Sequence, residues 1–112
     1  MPLTETETLQ RWNALLELAR ERVPFYRERL PAGRLATLDE VARLPFTTKD
    51  DFRDNYPFGL FAMPPAEVVR LHMSSGTTGK PTVVAYTRND ITLWSDLMAR
   101  TYAAAGVTEV IQ

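Results

Sequence analysis

Four prolines, at positions 24, 31, 45 and 57, divide the first half of the chain into segments that no single helix can cross. Proline lacks the backbone N–H that a helix interior needs, and it restricts the residue before it. The segment before the first of these prolines has apolar residues at the i, i+3, i+4 and i+7 spacing of one helical face, from about 6 to 23. We therefore predict one long amphipathic helix, followed by short elements up to residue 57.

The segments between the prolines carry helix-start signals. Thr37 or Asp39 can cap a short helix, and Thr47 or Thr48 can cap another at about 49–55. Carboxylates in the first turn of the second helix complement its dipole. We expect the aromatic residues of this region to be core and docking residues rather than a ligand stack; they are Phe46, Phe52, Tyr56, Phe58 and Phe61.

Two runs of β-branched and apolar residues in the second half, at 68–73 and 82–87, are typical of strands. The short polar segment between them predicts a β-hairpin. Thr87 and Asp90 form a capping-box pattern at the start of a long helix. Gly106 suits the left-handed conformation that commonly follows a helix end, so we predict that the last helix ends just before it.

These elements predict an α+β fold: an N-terminal helical segment, a β-hairpin, and a long helix that packs on the hairpin. We assign residues 1–66 to the helical segment and residues 67–112 to the start of an α/β domain. The final VTEVIQ is expected to begin a further strand with an unpaired edge. Because a two-stranded sheet is marginal alone, we expect oligomerisation or another chain to stabilise it.

Composition argues against several classes of function. Thirteen Lys plus Arg against fourteen Asp plus Glu give a net charge of -1. The chain therefore has no excess of positive charge that would attract nucleic acid or an anionic membrane. The chain has no cysteine and one histidine, His72, which we interpret as a packed or edge side chain rather than an acid or base. We expect a cytoplasmic protein that binds neither nucleic acid nor membrane and has no metal site of its own.

The segment Ser74–Pro81, SSGTTGKP, has two glycines, four hydroxyl groups and one ammonium group in eight residues. Glycines let consecutive N–H groups face one concavity, hydroxyls donate to phosphate oxygens, and lysine adds positive charge. It is not a Walker A loop, because Ser74 stands where that motif has glycine, Pro81 where it has Ser or Thr, and a strand follows. The residues alone leave two readings open, a phosphate cradle and a polar hairpin loop without a ligand.

The same loop resembles the phosphate-binding signature of the adenylate-forming superfamily, the acyl-CoA synthetases and their relatives. The general signature ends in Pro then Lys, whereas here Lys80 precedes Pro81, which points to a subgroup. The stretches LPFTTKDDFRDNYPFGLFAMP and SSGTTGKPTVVAYTRNDI are similar to phenylacetate-CoA ligases, and the similarity runs from about Val23 to Val107. Related aryl-CoA ligases and coenzyme F390 synthetases share parts of it, so the acid itself is left open.

The resemblance implies a two-step reaction. ATP and an aryl acid would give acyl-AMP and pyrophosphate, and the thiol of coenzyme A would then displace AMP. Mg²⁺ would accompany the nucleotide, since it is usually held through substrate phosphates and one or two carboxylates. ATP, Mg²⁺ and coenzyme A are therefore the cofactors and co-substrates that the resemblance assigns to the whole ligase.

The resemblance also assigns roles to the loop residues, which would hold the β- and γ-phosphates. Hydroxyl and backbone hydrogen bonds would come from Ser74, Ser75, Thr77 and Thr78. Close approach of the nucleotide would be permitted by Gly76 and Gly79, and positive charge would come from Lys80. Lys49 is a weaker candidate for a phosphate contact, and the alternative of a solvated lysine beside Asp50 and Asp51 is favoured.

Members of this family are several times longer than 112 residues. The segments that contact adenine and the acyl group, and the mobile domain with the catalytic lysine, would follow the region of similarity. We therefore expect an N-terminal ligase fragment that has no catalytic residue of its own and is inactive alone. The alternative class is a non-enzymatic assembly module, in which exposed apolar helix faces and the last strand drive self-association or pairing with the remaining ligase segments.

Overall fold

The computed structural model describes residues 2–74 and 79–107. Within these ranges a series of helices is followed by one small sheet and a final long helix. The elements, in chain order, are α1 (Glu5–Arg22), α2 (Pro24–Arg29), a 3₁₀ helix (Leu38–Arg43), α3 (Lys49–Asp54), a 3₁₀ turn (Pro65–Glu67), β1 (Val68–Met73), β2 (Val83–Thr87) and α4 (Arg88–Ala104). β1 and β2 pair in a two-stranded antiparallel sheet. The prediction of a mixed α+β chain is confirmed. None of the helices in these two ranges is long and apolar enough to cross a membrane.

α1 begins at a capping box, in which the Thr4 hydroxyl accepts from the Glu7 N–H and the Glu7 carboxylate accepts from the Thr4 N–H. The helix ends at Arg22 because Val23, which precedes Pro24, is held in an extended conformation at φ -121 and ψ 106. Pro24 then occupies the first position of α2, where its missing N–H costs nothing. The predicted long helix and its proline stop are confirmed.

The described residues form two compact units. The first comprises the described residues of Met1–Ala62 and Met73–Val83, and the second those of Met63–His72 and Val84–Gln112. Each strand of the sheet has residues in both units. The predicted boundary between residues 66 and 67 stays a prediction.

The first unit has a small core around the middle and end of α1. Leu16 is 4% exposed and Val23 is 1% exposed. Asn13 is buried beside them, and its amide makes two hydrogen bonds with the backbone of Leu35, donating to the carbonyl at 3.0 Å and accepting from the N–H at 2.7 Å. This side chain therefore helps to attach the irregular connection between α2 and the 3₁₀ helix to α1, and Arg20, which donates to the Pro31 carbonyl, makes a second such contact.

α3 is attached to the first unit through Asp51. Its carboxylate accepts the Thr48 N–H at 2.8 Å in a capping box and also pairs with both terminal nitrogens of Arg29 at 3.1 and 3.3 Å. The Thr48 N–H is the main reason that the pKa of Asp51 lies below its usual value, and Arg29 adds to the lowering while burial opposes it. The predicted cap at Thr48 and the helix that follows it are confirmed.

The second unit contains no residue that is almost fully buried in the part of the chain that is described. Its main element, α4, begins at the predicted capping box of Thr87 and Asp90. Gly106 follows the helix end at φ +93, a conformation that L side chains rarely adopt, which confirms its predicted role. Val107 lies outside any strand, and the remainder of the predicted VTEVIQ strand falls outside the described residues.

Two expectations about apolar side chains need correction. Phe46 and Phe58 are 90% and 53% exposed, so neither belongs to the core of the first unit. Most of the apolar side of α4 is exposed too, and its large exposed members are Trp94, Leu97, Met98 and Tyr102. Periodicity indicates which residues share a face, but covering that face requires a neighbouring layer, and the described residues supply little of one.

Candidate functional site

The base of the loop between β1 and β2 is closed by Ser74 and Thr82. The Ser74 N–H donates to the Thr82 carbonyl at 3.0 Å. In return, the Thr82 N–H and the Thr82 hydroxyl donate to Ser74 Oγ at 3.0 and 2.8 Å. Three hydrogen bonds therefore join two residues that are eight positions apart. They hold the two ends of the polar segment together.

These contacts determine what the Ser74 hydroxyl can still do. A serine hydroxyl has two acceptor positions and one donor hydrogen. With two hydrogen bonds from Thr82 arriving at Oγ, the acceptor positions are occupied and the donor remains. An exposed hydroxyl in that state is suited to an oxygen atom that only accepts, such as a phosphate oxygen. The sequence reasoning identified Ser74 but not Thr82, whose position just after the proline gave no signal.

Gly79 has a conformational role at the far side of the loop. Its φ of +87 lies in the left-handed region, and no described atom is within 4 Å of where a Cβ would stand. The space is open, so the backbone angle rather than crowding is the reason for glycine here. Any other residue would be strained by roughly 1–2 kcal/mol.

Lys80 is exposed, and its ammonium nitrogen lies 5.7 Å from the centre of the Tyr56 ring. That distance is within the range of a cation–π contact. The contact gives a flexible side chain a preferred resting position without neutralising its charge. Tyr56 was expected to be a core or docking residue; it is instead a partly exposed platform for the loop lysine.

The remaining predicted site residues are only partly accounted for by the structure. Lys49 is exposed at the first position of α3 and makes no hydrogen bond or ion pair with a described residue. The four loop positions Ser75, Gly76, Thr77 and Thr78 lie outside the described residues. Their assignment therefore stays a prediction, as does that of Lys49.

His72 belongs to an aromatic cluster of the second unit. Its ring lies edge-on to Tyr86 and Trp94, with centroids 4.9 and 5.6 Å away, and Tyr86 and Trp94 stack at 5.3 Å. These three rings link the strands to α4 within that unit. The histidine is accordingly a packing residue on the sheet, as the alternation of the strand indicated.

The sequence predicts that Asp50, Asp51 and Asp54 are first-turn residues of a helix rather than metal ligands; α3 has Asp50 and Asp51 in its first turn, whereas Asp54 is its last residue. Asp51 caps α3 and pairs with Arg29, while Asp50 lies 3.4 Å from Arg53. Within residues 2–74 and 79–107, no group of three or more histidine or acidic side chains is arranged to hold a metal ion. The acidic cluster is thus explained by helix capping and ion pairing.

Comparison with known proteins gives a consistent result, although no family model matches the chain. A phenylacetate-coenzyme A ligase of Pseudomonas putida is 54% identical over 101 residues, which is 86% of this chain and 23% of the relative. The Thermus thermophilus protein of the same name is 50% identical over 114 aligned residues, covering 95% of the chain and 25% of the relative. The Escherichia coli protein of that name is 50% identical over 102 residues, covering 87% and 23%.

The chain spans about a quarter of the length of these curated relatives. Over 86–95% of its length the chain is therefore homologous to phenylacetate-coenzyme A ligases.

Proposed function

We propose that the chain is the phosphate-binding part of an ATP-dependent aryl-acid CoA ligase whose acid is phenylacetate. The whole enzyme would convert phenylacetate and ATP to phenylacetyl-AMP and pyrophosphate, and coenzyme A would then displace AMP to give phenylacetyl-CoA. The observation that carries this proposal is the 48–54% identity, over 86–95% of the chain, to relatives that bear the name of this reaction.

The loop residues would act on the leaving phosphates. When the carboxylate attacks the α-phosphorus, negative charge builds on the departing pyrophosphate, and donors already in place stabilise it most. Ser74 would donate its one free hydrogen to a phosphate oxygen. Lys80 would leave the Tyr56 ring and bring its positive charge to the β- or γ-phosphate. Gly79 would allow the backbone turn that brings Lys80 to that position.

We include Ser75, Gly76, Thr77 and Thr78 in the same cradle, and Lys49 as a second cation. Mg²⁺, bound through the nucleotide phosphates, would neutralise part of their charge. No residue of the chain is proposed as a catalytic acid, base or nucleophile. The chain alone is therefore expected to form no acyl-CoA, because the residues that bind the acid, adenine and coenzyme A would lie elsewhere in the ligase.

The test transfers this chain into a complete enzyme. Residues 1–112 replace the corresponding quarter of the Thermus thermophilus relative, and phenylacetyl-CoA formation from phenylacetate, ATP and coenzyme A is followed by chromatography. We expect the chimera to be active and the chain alone to be inactive. In the chimera, Lys80→Ala is expected to lower kcat/KM for ATP about tenfold or more, as removal of a charged phosphate contact does.

Two further variants of the chimera make this test specific. Thr82→Val removes the hydroxyl contact to Ser74 and leaves the backbone ones, so the serine can rotate away, and we expect the KM for ATP to rise about 2- to 10-fold. Arg11→Gln, on the exposed side of α1, is the matched control and leaves the kinetics unchanged. Unaltered kinetics in Lys80→Ala would refute the phosphate role, and turnover by the isolated chain would refute its dependence on the rest of the ligase.

A second candidate function, an assembly module, is favoured by the exposed apolar surface of the second unit. Several large apolar residues there are more than one third exposed, on the strands and on α4; examples are Val69, Leu71, Leu93, Trp94 and Tyr102. Such a surface favours association with a protein partner or a second copy. Light scattering of the purified chain tests this: concentration-dependent oligomers support it, and a monomer at high concentration contradicts it.

A further inference from the structure

The first unit contains a basic cleft that the proposed ligase function does not use. The cleft encloses about 550 Å³, within the usual range of small-molecule sites. Four arginines contribute to its walls, each from a different segment: the end of α1, the end of α2, the connection after it and the end of the first 3₁₀ helix. They are Arg20, Arg29, Arg34 and Arg43.

The four guanidinium groups differ in how much of their hydrogen-bonding capacity is already used. Arg20 donates to the Pro31 carbonyl at 2.8 Å, and Arg29 uses both terminal nitrogens on Asp51. Arg34 and Arg43 make no hydrogen bond or ion pair within 4 Å to a described residue, and both are exposed. The guanidinium groups of Arg34 and Arg43 are therefore both able to donate hydrogen bonds to a ligand in the cleft.

The carboxylate in the cleft wall is committed to the backbone. Glu40 accepts from the N–H groups of Ala36 and Thr37, and these bonds are the main reason that the pKa of its carboxyl lies below its usual value; the positive charge of Arg43 adds to the lowering and burial opposes it. With Asp51 paired to Arg29 and one carboxylate on the wall, the arginines exceed the acidic groups by two. The cleft therefore has a positive surplus in a chain whose overall charge is -1.

An apolar groove adjoins the cleft. The groove encloses about 380 Å³, and its walls include the rings of Trp12, Tyr26 and Phe46. It shares Leu16, Leu44 and Pro45 with the cleft, so the two spaces are neighbours with three wall residues in common. This groove is also where the exposed Phe46 side chain lies.

From this arrangement we propose that the cleft and groove bind a small organic phosphate, with the phosphate on Arg34 and Arg43 and an aromatic or apolar body in the groove. Guanidinium forks match phosphate oxygens with two parallel hydrogen bonds, and the enclosed volume suits a small molecule better than an extended chain. This site is separate in sequence from the loop at 74–81 and does not rest on the ligase proposal.

The experiment uses the groove tryptophan as a reporter. The chain has two tryptophans, so Trp94→Phe leaves Trp12 as the single one. In that background, ATP and coenzyme A are titrated at low ionic strength, and inorganic phosphate is tested as a competitor. We expect a saturable change in Trp12 emission that inorganic phosphate reverses at higher concentration. ATP and coenzyme A distinguish which organic phosphate is preferred.

Matched variants assign the binding to the cleft. Arg34→Gln combined with Arg43→Gln should raise the apparent Kd about tenfold or more, because both charge-assisted contacts are lost. Arg11→Gln combined with Arg70→Gln removes the same charge from exposed positions outside the cleft and should change the Kd less than about twofold. Lys80→Ala should leave it unchanged, which separates this site from the loop. The two single cleft variants replace the double one if circular dichroism shows it unfolded.

Several results would overturn the proposal. One is an unchanged Trp12 emission with both ATP and coenzyme A. Another is an equal loss of affinity in the control pair, which would indicate a response to net charge alone. A third is displacement by a hexaglutamate peptide at lower concentration than by phosphate, which would favour an acidic protein segment as the ligand.

Discussion

The two units of the chain differ in how their side chains are packed. All of the described residues that are almost fully buried belong to the first unit, and two of the five, Asn13 and Asp51, are polar and hydrogen-bonded. The second unit has none, although its helix is nearly as long as α1 and well capped. Local signals therefore define where a helix begins and ends, whereas a core, which supplies most of the stability of a helix, needs neighbours from elsewhere in the chain.

The first prediction makes the same substitution in both units. Leu16→Ala in α1 is expected to lower the free energy of unfolding by about 3 kcal/mol, because it leaves a cavity in the small core. Leu97→Ala, at a position 50% exposed on α4, should cost less than about 0.5 kcal/mol. Urea unfolding followed by circular dichroism measures both. Equal losses would contradict the contrast between the units.

The second prediction concerns the polar anchor of the first unit. Asn13→Ala removes both hydrogen bonds to the Leu35 backbone and leaves those groups without their partner. We expect a loss of about 2 kcal/mol in the free energy of unfolding. Asn89→Ala, an exposed asparagine in the first turn of α4, is the control and should be within about 0.5 kcal/mol of the parent.

The third prediction tests the local signals that the two units share. Thr4→Ala and Thr87→Ala each remove a capping hydroxyl, and each should cost about 1 kcal/mol. The helix content seen by circular dichroism reports the fraying of α1 or α4 respectively. If only one substitution has an effect, capping is not equivalent in the two helices.

The smallest expected effect is on the pH dependence of the first unit. Since the pKa of Asp51 is lowered by folding, its contribution to stability is present above about pH 4 and is lost as the pH falls through the lowered pKa. Asp51→Asn should therefore flatten the acid side of the stability profile. An acid titration of the urea midpoint measures this, and Asp50→Asn, which lies outside the capping box, is the control.

The elements that could be predicted from the sequence are those that depend on nearby residues. The capping boxes, the proline after Val23 and the left-handed Gly106 each act within a few residues, so their signals are complete in the printed sequence. The pairing of Asn13 with Leu35 and of Arg29 with Asp51 joins residues 22 positions apart. Arginine and aspartate are frequent in this part of the chain, and no local signal selects the partner of Arg29 or of Asn13.

The candidate site was predictable in composition but not in detail. The loop was singled out by its glycines and hydroxyls, and the ligand that we propose for it rests on a family resemblance. The role of Thr82 as the partner of Ser74 and that of Tyr56 as the platform for Lys80 depend on contacts across the loop and between distant segments. The exposure of Phe46 was also unpredictable, because a hydrophobic side chain gives no sign that the layer to cover it is missing.

The closure of the loop base by Ser74 and Thr82 has a consequence for sequence change. Since the strands are tied at that point, their register does not depend on the residues between. If the loop binds phosphate as we propose, substitution between Ser74 and Thr82 would change the bound ligand more than it would change the pairing of the strands. The hairpin is for that reason a natural position for diversification, by evolution or in the laboratory.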